Sequence, residues 1–254
     1  MSAALLHIRQ NSVSFLTVLA RLVPFCHFNR KTRMISQLKI DFVSDVSCPW
    51  CVIGLRSLEQ AIERIGNLSV DIHFQPFELN PNMPSEGQEI TEHITQKYGI
   101  TPAQAQANRE AIRDRGAELG FKFSMPDEAG GGRSRIYNTF DAHRLLHWAE
   151  GEGAGLQKAL KVGLFSAYFT DGRSPASHDV LLDVAALAGL DAVKARAVLE
   201  SDAFSQEVRE REQFYLNSDI HAVPAVIINE RHLISGGQPP EVFEQALRQI
   251  IAAQ

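Results

Sequence analysis

The sequence predicts an α/β fold, a four-stranded mixed sheet covered by helices and carrying a large helical insertion. Three observations predict it. Residues 38–77 read as strand, helix, strand. Residues from about 89 to 217 carry apolar side chains at helical rather than strand spacing. The chain then returns to two short apolar runs and one last amphipathic helix.

Each element has a local reason. LKIDFV (38–43) is a short run of apolar and β-branched residues, the mark of a strand. PWCVIGLRSLEQAIERI (49–65) follows, with Cys51, Leu55, Leu58, Ile62 and Ile65 on one helical face. Pro49 suits the first helical position, where a missing N–H costs nothing. Gly66 is placed to end the helix. SVDIHFQPF (69–77) alternates, with Val70, Ile72 and Phe74 on one side. A strand–helix–strand unit of this length implies parallel strands joined by a right-handed crossover.

ELNPNMPSEG is a Pro, Gly and Asn-rich loop into the insertion. There, Thr101-Pro102-Ala103-Gln104 has a capping Thr, Pro in the first turn and Gln three residues on. Residues 138–150 and 156–170 are amphipathic, and 178–188 ends at Gly189 with DAVKARAVLE directly after. The glycines of MPDEAGGGRSR mark a flexible loop. Toward the end, AVIIN (225–229) and HLIS (232–235) read as a hairpin across Asn229-Glu230-Arg231. PPEVFEQALRQII (239–251) closes as a helix with proline near its start. The insertion is expected to form a lid or subdomain.

Composition sets limits on function. Of 254 residues, 44% are hydrophobic and 22% charged, which is ordinary for a globular chain. The net charge of -5 gives no basic face for nucleic acid. Three cysteines are too few for a disulfide scaffold. Residues 1–36 stand apart from the domain expected over 37–254. Their apolar piece is interrupted by Arg21 and Pro24 and falls short of the roughly 20 apolar residues that span a bilayer. Three readings stay open for it: a disordered extension, an upstream start with Met34 as the true one, or a weak export signal. Cys26 lies there and is given no role. No membrane partner is expected, and the absence of a convincing export signal favours the cytoplasm.

The chemistry concentrates at SDVSCPWC. Cys48 and Cys51 could hold a metal, exchange disulfides or fill a core. One Cys-x-x-Cys is half of a usual zinc site, so no metal is expected. The N-terminus of a helix favours negative charge, which favours a thiolate at Cys48, just before Pro49. Cys51 lies one turn in, on the apolar face, and should be the more buried and less ionised thiol. An outer attacking sulfur and an inner resolving sulfur are what thiol–disulfide exchange needs. Trp50 supplies no charge but offers an apolar platform beside the sulfur. Asp41 in the strand and Asp45 before Cys48 are both candidates to carry a proton for the inner cysteine, and Asp45 is equally suited to cap the turn. Pro224 opens a strand, and an X–Pro bond is cis in only about 5–6% of cases.

SDVSCPWC, FQPFELNP, NTFDAHRLLHWA and HAVPAVIINERHLISGGQ together resemble the thioredoxin superfamily, and within it the DsbA-like proteins of the FrnE branch. The resemblance runs from about residue 38 to 251. It implies a thioredoxin-like fold and a cytoplasmic oxidoreductase working on thiol or disulfide substrates, protein or small. It implies Cys48 as nucleophile and Cys51 as the resolving cysteine. Pro224 would be cis, packed on the disulfide and guarding it against metal. Val223 would offer backbone hydrogen bonds to an extended substrate, and the insertion would cap the site. No cofactor is implied beyond the redox-active disulfide. Related 2-hydroxychromene-2-carboxylate isomerases and kappa-class glutathione transferases use bound glutathione, typically with serine at the first cysteine's place. Glutathione is therefore a possible co-substrate here, and a glutathione-dependent isomerase or transferase is the alternative function.

Overall fold

The computed structural model describes residues 36–84, 86–124 and 134–254. The readings of residues 1–35 and Cys26, and of the glycines in the MPDEAGGG loop, lie outside the described residues.

Strand β1 (Ser36–Ser44) is the axis of the sheet. Helix α1 (Pro49–Ile65) follows, then strand β2 (Leu68–Pro76), parallel to β1. Near the other end, β5 (Ala225–Ile228) pairs antiparallel with β1, and β6 (His232–Ser235) with β5. The order is β2-β1-β5-β6, a mixed four-stranded sheet. Register follows the apolar pattern. Phe42 stands opposite Phe74 and Val226, and Ile40 opposite Ile72 and Ile228. A slip of one residue would turn these side chains away from the core. The hairpin turns through Asn229, Glu230 and Arg231, with Asn229 and Glu230 at positive φ (51° and 58°).

Between β2 and β5 lie β3 (Gln88–Glu89), α2 (Ile90–Tyr98), α3 (Pro102–Glu118), β4 (Arg135–Ile136), α4 (Phe140–Glu152), α5 (Leu156–Phe169), α6 (His178–Leu187), α7 (Ala192–Leu199) and α8 (Ser205–Asn217). Helix α9 (Pro240–Ala252) closes the chain. The Thr101–Gln104 capping box forms as the sequence predicts. The two-residue ladder β3–β4 was not expected, since pairs so short leave no period to read.

Two large cores, with a smaller cluster of Val43, Phe77, Tyr215, Ile220 and Ala225, hold the described residues. One joins Leu38, Ile40 and Phe42 of β1 to α1, α9 and an aromatic group of Phe121, Phe123, Phe165, Tyr168 and Phe169. The other packs α4 through α7 around Leu145, Leu160, Leu164 and Leu181. Helix α5 belongs to both, with Leu160 and Leu164 on one side and Phe165, Tyr168 and Phe169 on the other. With a core on each of these sides, most of the helix is buried. The insertion is thus more than a lid, because its central helix completes the core under the sheet.

Candidate active site

The first turn of α1 builds the centre. Cys48 is its N-cap residue, extended at φ -92° and ψ 114°, with no side-chain cap. Pro49 begins the helix, and the Cys51 N–H donates to the Cys48 carbonyl at 3.1 Å. The opening backbone N–H groups of a helix collect partial positive charge, which suits an anionic sulfur. Both thiols are free. Cys51 is fully buried, and Cys48 nearly so at 4% exposure.

The distant proline segment arrives here. Val223-Pro224 is a cis peptide, as the resemblance implies. The Cys48 thiol faces the Val223 carbonyl at 3.6 Å. A close clamp holds this arrangement. A Cβ on Gly54 would stand 2.9 Å from Pro224 Cγ, and one on Gly237 2.9 Å from the Trp50 carbonyl. Only glycine lets α1, the cis-proline turn and the SGGQ loop come this near one another. Trp50 is 40% exposed, and the Arg115 guanidinium lies 5.9 Å from its ring.

Asp45 ties the β1–α1 loop down. Its Oδ1 accepts the Ser47 N–H at 2.9 Å and its Oδ2 the Leu79 N–H at 2.7 Å. His143 of α4 stands 3.8 Å away, an ion-pair separation rather than a hydrogen bond. Burial opposes the charge, but His143 and these N–H donors outweigh it and hold the Asp45 carboxyl below its ordinary range. Asp45 therefore has the turn-capping geometry. Asp41 faces elsewhere, accepting from Gln75 Nε2 at 2.7 Å and pairing with Lys39 at 3.6 Å.

A cavity of about 860 Å³ opens beside Cys48, lined by Trp50, Val223, Glu78 and helices α2 and α3. Lys97 reaches in, donating to the Leu79 carbonyl at 2.8 Å and Asn80 Oδ1 at 2.7 Å. Burial lowers its pKa against the attraction of Asp45 and Cys48. Burial and the Cys48 charge raise that of Tyr98 beside it. His93 and Arg109 complete a polar edge on mostly apolar walls.

Behind the cysteines, Lys161 of α5 is fully buried. Burial pulls its pKa down to about 8, while the charges of Cys51, Asp45 and Cys48 pull it back up. The Cys51 thiol is pushed well above its usual range by burial first and by Cys48 next. Burial thus disfavours the thiolate at the inner sulfur.

Sequence reading brings Cys48, Cys51, Trp50, Val223 and Pro224 to one place. It missed Lys161, His143, Lys97 and Glu78. Lys161 had a signal: it falls in line with Gln157, Leu164, Phe165 and Tyr168, on the buried stripe of its helix. Among the described residues no group of three or more His, Cys, Asp or Glu could hold a metal ion, and no helix is long and apolar enough to cross a membrane.

A cis-proline loop set against a Cys-Pro-Trp-Cys helix start, on a mixed sheet with a helical insertion, defines a class of thioredoxin-fold proteins. The chain belongs to the family of the DSBA-like thioredoxin domain, whose pattern it matches over residues 39–248. A probable DsbA oxidoreductase from Streptomyces coelicolor is 33% identical, over 85% of this chain and 91% of that one, with a TM-score of 0.76. The uncharacterized protein YwbO of Bacillus subtilis is 26% identical over 209 residues, 82% of this chain and 94% of its own length. More distant in sequence, a 2-hydroxychromene-2-carboxylate isomerase shares the fold at a TM-score of 0.62 and 16% identity, covering 84% of this chain and 96% of that one. So does the cytosolic disulfide reductase DsbM of Pseudomonas aeruginosa, solved with GSH, at 0.56 and 17%, covering 84% and 99%.

Proposed function

We propose that this chain is a thiol–disulfide oxidoreductase of the FrnE branch, exchanging disulfides with protein or small thiols through Cys48 and Cys51. The observation that carries it is the position of Cys48. Its sulfur sits at a helix N-terminus, 3.6 Å from the Val223 carbonyl before cis-Pro224, at the wall of a roomy cavity. The Cys48 thiolate attacks a substrate disulfide R–S–S–R′, forming Cys48–S–S–R and releasing R′S⁻. Cys51 gives up its proton, attacks the Cys48 sulfur, and releases RS⁻. The substrate gains two electrons and the protein is left with the Cys48–Cys51 disulfide. Oxidation of a substrate dithiol is the same sequence in reverse.

Val223 offers its backbone to an extended substrate, and Trp50 gives it an apolar seat. No metal or organic cofactor enters these steps. The setting that goes with this reading is the cytoplasm, where such a disulfide is transient and catalytic. Insulin reduction tests it: Cys48→Ala should abolish turnover, and a variant that reduces insulin at the wild-type rate refutes the reading.

The cavity favours a second reading. Its apolar walls and the Lys97 and Arg109 cations suit a small anionic thiol, with glutathione as co-substrate or as the cofactor of an isomerase or transferase. The isomerase or transferase version requires stoichiometric glutathione binding to the reduced protein and full activity in Cys51→Ser. Calorimetry with no glutathione heat removes it.

A further inference from the structure

Glu78 and Glu212 form a second titratable cluster, apart from the cysteines. Glu78 follows β2 on the cavity wall, and Glu212 belongs to α8. Both carboxyls accept from one nitrogen, Arg209 Nη1: Glu212 Oε2 at 2.9 Å, and Glu78 Oε2 beside it. Two acceptors on one nitrogen place the carboxyls side by side. Both are held in the interior, with side chains 2% and 10% exposed. Among the described residues neither Oε1 has a hydrogen-bond partner. Arg209, whose guanidinium lies 3.8 Å from the Phe140 ring, is the one cation ion-paired with either carboxyl among the described residues. The other charged or titratable groups facing the pair are His143 of α4 and Asp45 of the β1–α1 loop. Two ionised carboxylates against one guanidinium leave a negative charge in the interior, where it is costly. One proton cancels that charge and turns a bare acceptor oxygen into a donor. Burial, then the neighbouring Glu212, raises the pKa of Glu78, and burial raises that of Glu212 against the pull of Arg209.

We propose that Glu78 and Glu212 hold a single proton between them, and that this carboxyl pair positions the turn that faces Cys48. The link runs through packing. Phe77, next to Glu78, shares a cluster with Tyr215 of α8, Ile220 beyond it and Ala225 of β5, and Val223 packs against that cluster. When the second carboxyl ionises, repulsion between Glu78 and Glu212 works against this packing. It works equally against the Val223 carbonyl keeping its place 3.6 Å from the Cys48 sulfur. The shared proton requires no redox chemistry, while its effect on turnover rests on the oxidoreductase reading. Both carboxyls lie above their unfolded value of 4.5, so the stability they contribute is full below that pH and is lost as pH rises through the folded value.

Carboxyl-carbon NMR on the full chain tests the sharing without substrate. In the wild type one carboxyl of the pair should titrate above 4.5, and Glu212→Gln should bring the titration of Glu78 down. Arg209→Met, which keeps both acids and removes their cation, should move the titration higher still. Glu212→Gln keeps the shape of the side chain and removes its charge. In urea it should unfold with the wild type at and below pH 4.5 and outlast it above. The gain should be about tenfold in the unfolding equilibrium for each unit separating the folded and unfolded titrations. The ratio of wild-type to Glu212→Gln insulin reduction should fall over the same interval. Both carboxyls titrating at or below 4.5 in the folded wild type overturn the shared proton. A shared proton with a rate ratio flat in pH overturns the positioning role. A shared proton in a wild-type protein that reduces no insulin overturns the oxidoreductase reading and leaves the carboxyl pair in place.

Discussion

Gly54 sits in the second turn of α1, where a Cβ would stand 2.9 Å from Pro224 Cγ and 3.5 Å from the Gly237 Cα. Ordinary contacts begin at 3.4 Å, so Gly54→Ala requires about half an ångström of movement. The proline ring is part of the chain turn that holds Val223 and is no flexible side-chain tip. Alanine gains up to about 1 kcal/mol of helix propensity over glycine. Overpacking of a tight core costs about 1–3 kcal/mol. The balance is a loss of about 0–2 kcal/mol, or a fall in Tm of up to roughly 8 °C for a domain of this size. The displaced turn also carries the Val223 carbonyl away from Cys48, so insulin reduction should fall further than stability does. Gly151 in α4 is the control, since a Cβ there meets nothing within 4 Å. Gly151→Ala should be neutral or slightly stabilising. A Gly54→Ala protein that melts higher than wild type and reduces insulin at full rate would falsify the claim that α1 and the cis-proline turn are pressed together.

Two further predictions follow from the site's electrostatics. Iodoacetamide at neutral pH should label Cys48 well before Cys51, because burial holds the inner thiol protonated; peptide mapping that finds Cys51 labelled first contradicts that order. Asp45→Ala should cost about 3–5 kcal/mol by leaving buried N–H groups and His143 unpaired. The native carboxyl lies below its unfolded value of 3.8, so its contribution is full above that pH and is lost as pH falls through the folded value. Acid denaturation of Asp45→Ala should therefore be flatter below pH 4, and an acid limb as steep as the wild type's speaks against the pairing.

The parts of this fold that were legible in the sequence are those with a local signal. The apolar, β-branched run at 38–43, the alternation at 69–77, the Thr101 capping box and the Asn229-Glu230-Arg231 turn each state their geometry within a few residues. The cysteines and Pro224 were legible because each sits at an element's end, where residue type has a specific meaning. The charged groups behind them were not. His143 and Lys161 lie in helices whose patterns read as amphipathic, and their burial depends on what packs across from them. The same holds for Asp41 and Asp45. Both look alike in the sequence, and it is the Ser47, Leu79 and His143 contacts of Asp45 and the Gln75 and Lys39 contacts of Asp41 that separate them.

Helix α5 faces two cores, and this bears on how such a protein can be taken apart. Excising residues 89–217 would not return a minimal four-stranded redox domain. It would strip Phe165, Tyr168 and Phe169 from beneath the sheet and open a hole of three aromatic rings against Leu38, Phe42 and α1. The sheet and the insertion should accordingly melt in one cooperative transition. Variation that tunes the active site must then come by substitution along α2, α3 and α5, because whole-segment exchange would carry the foundation of the catalytic helix away with it.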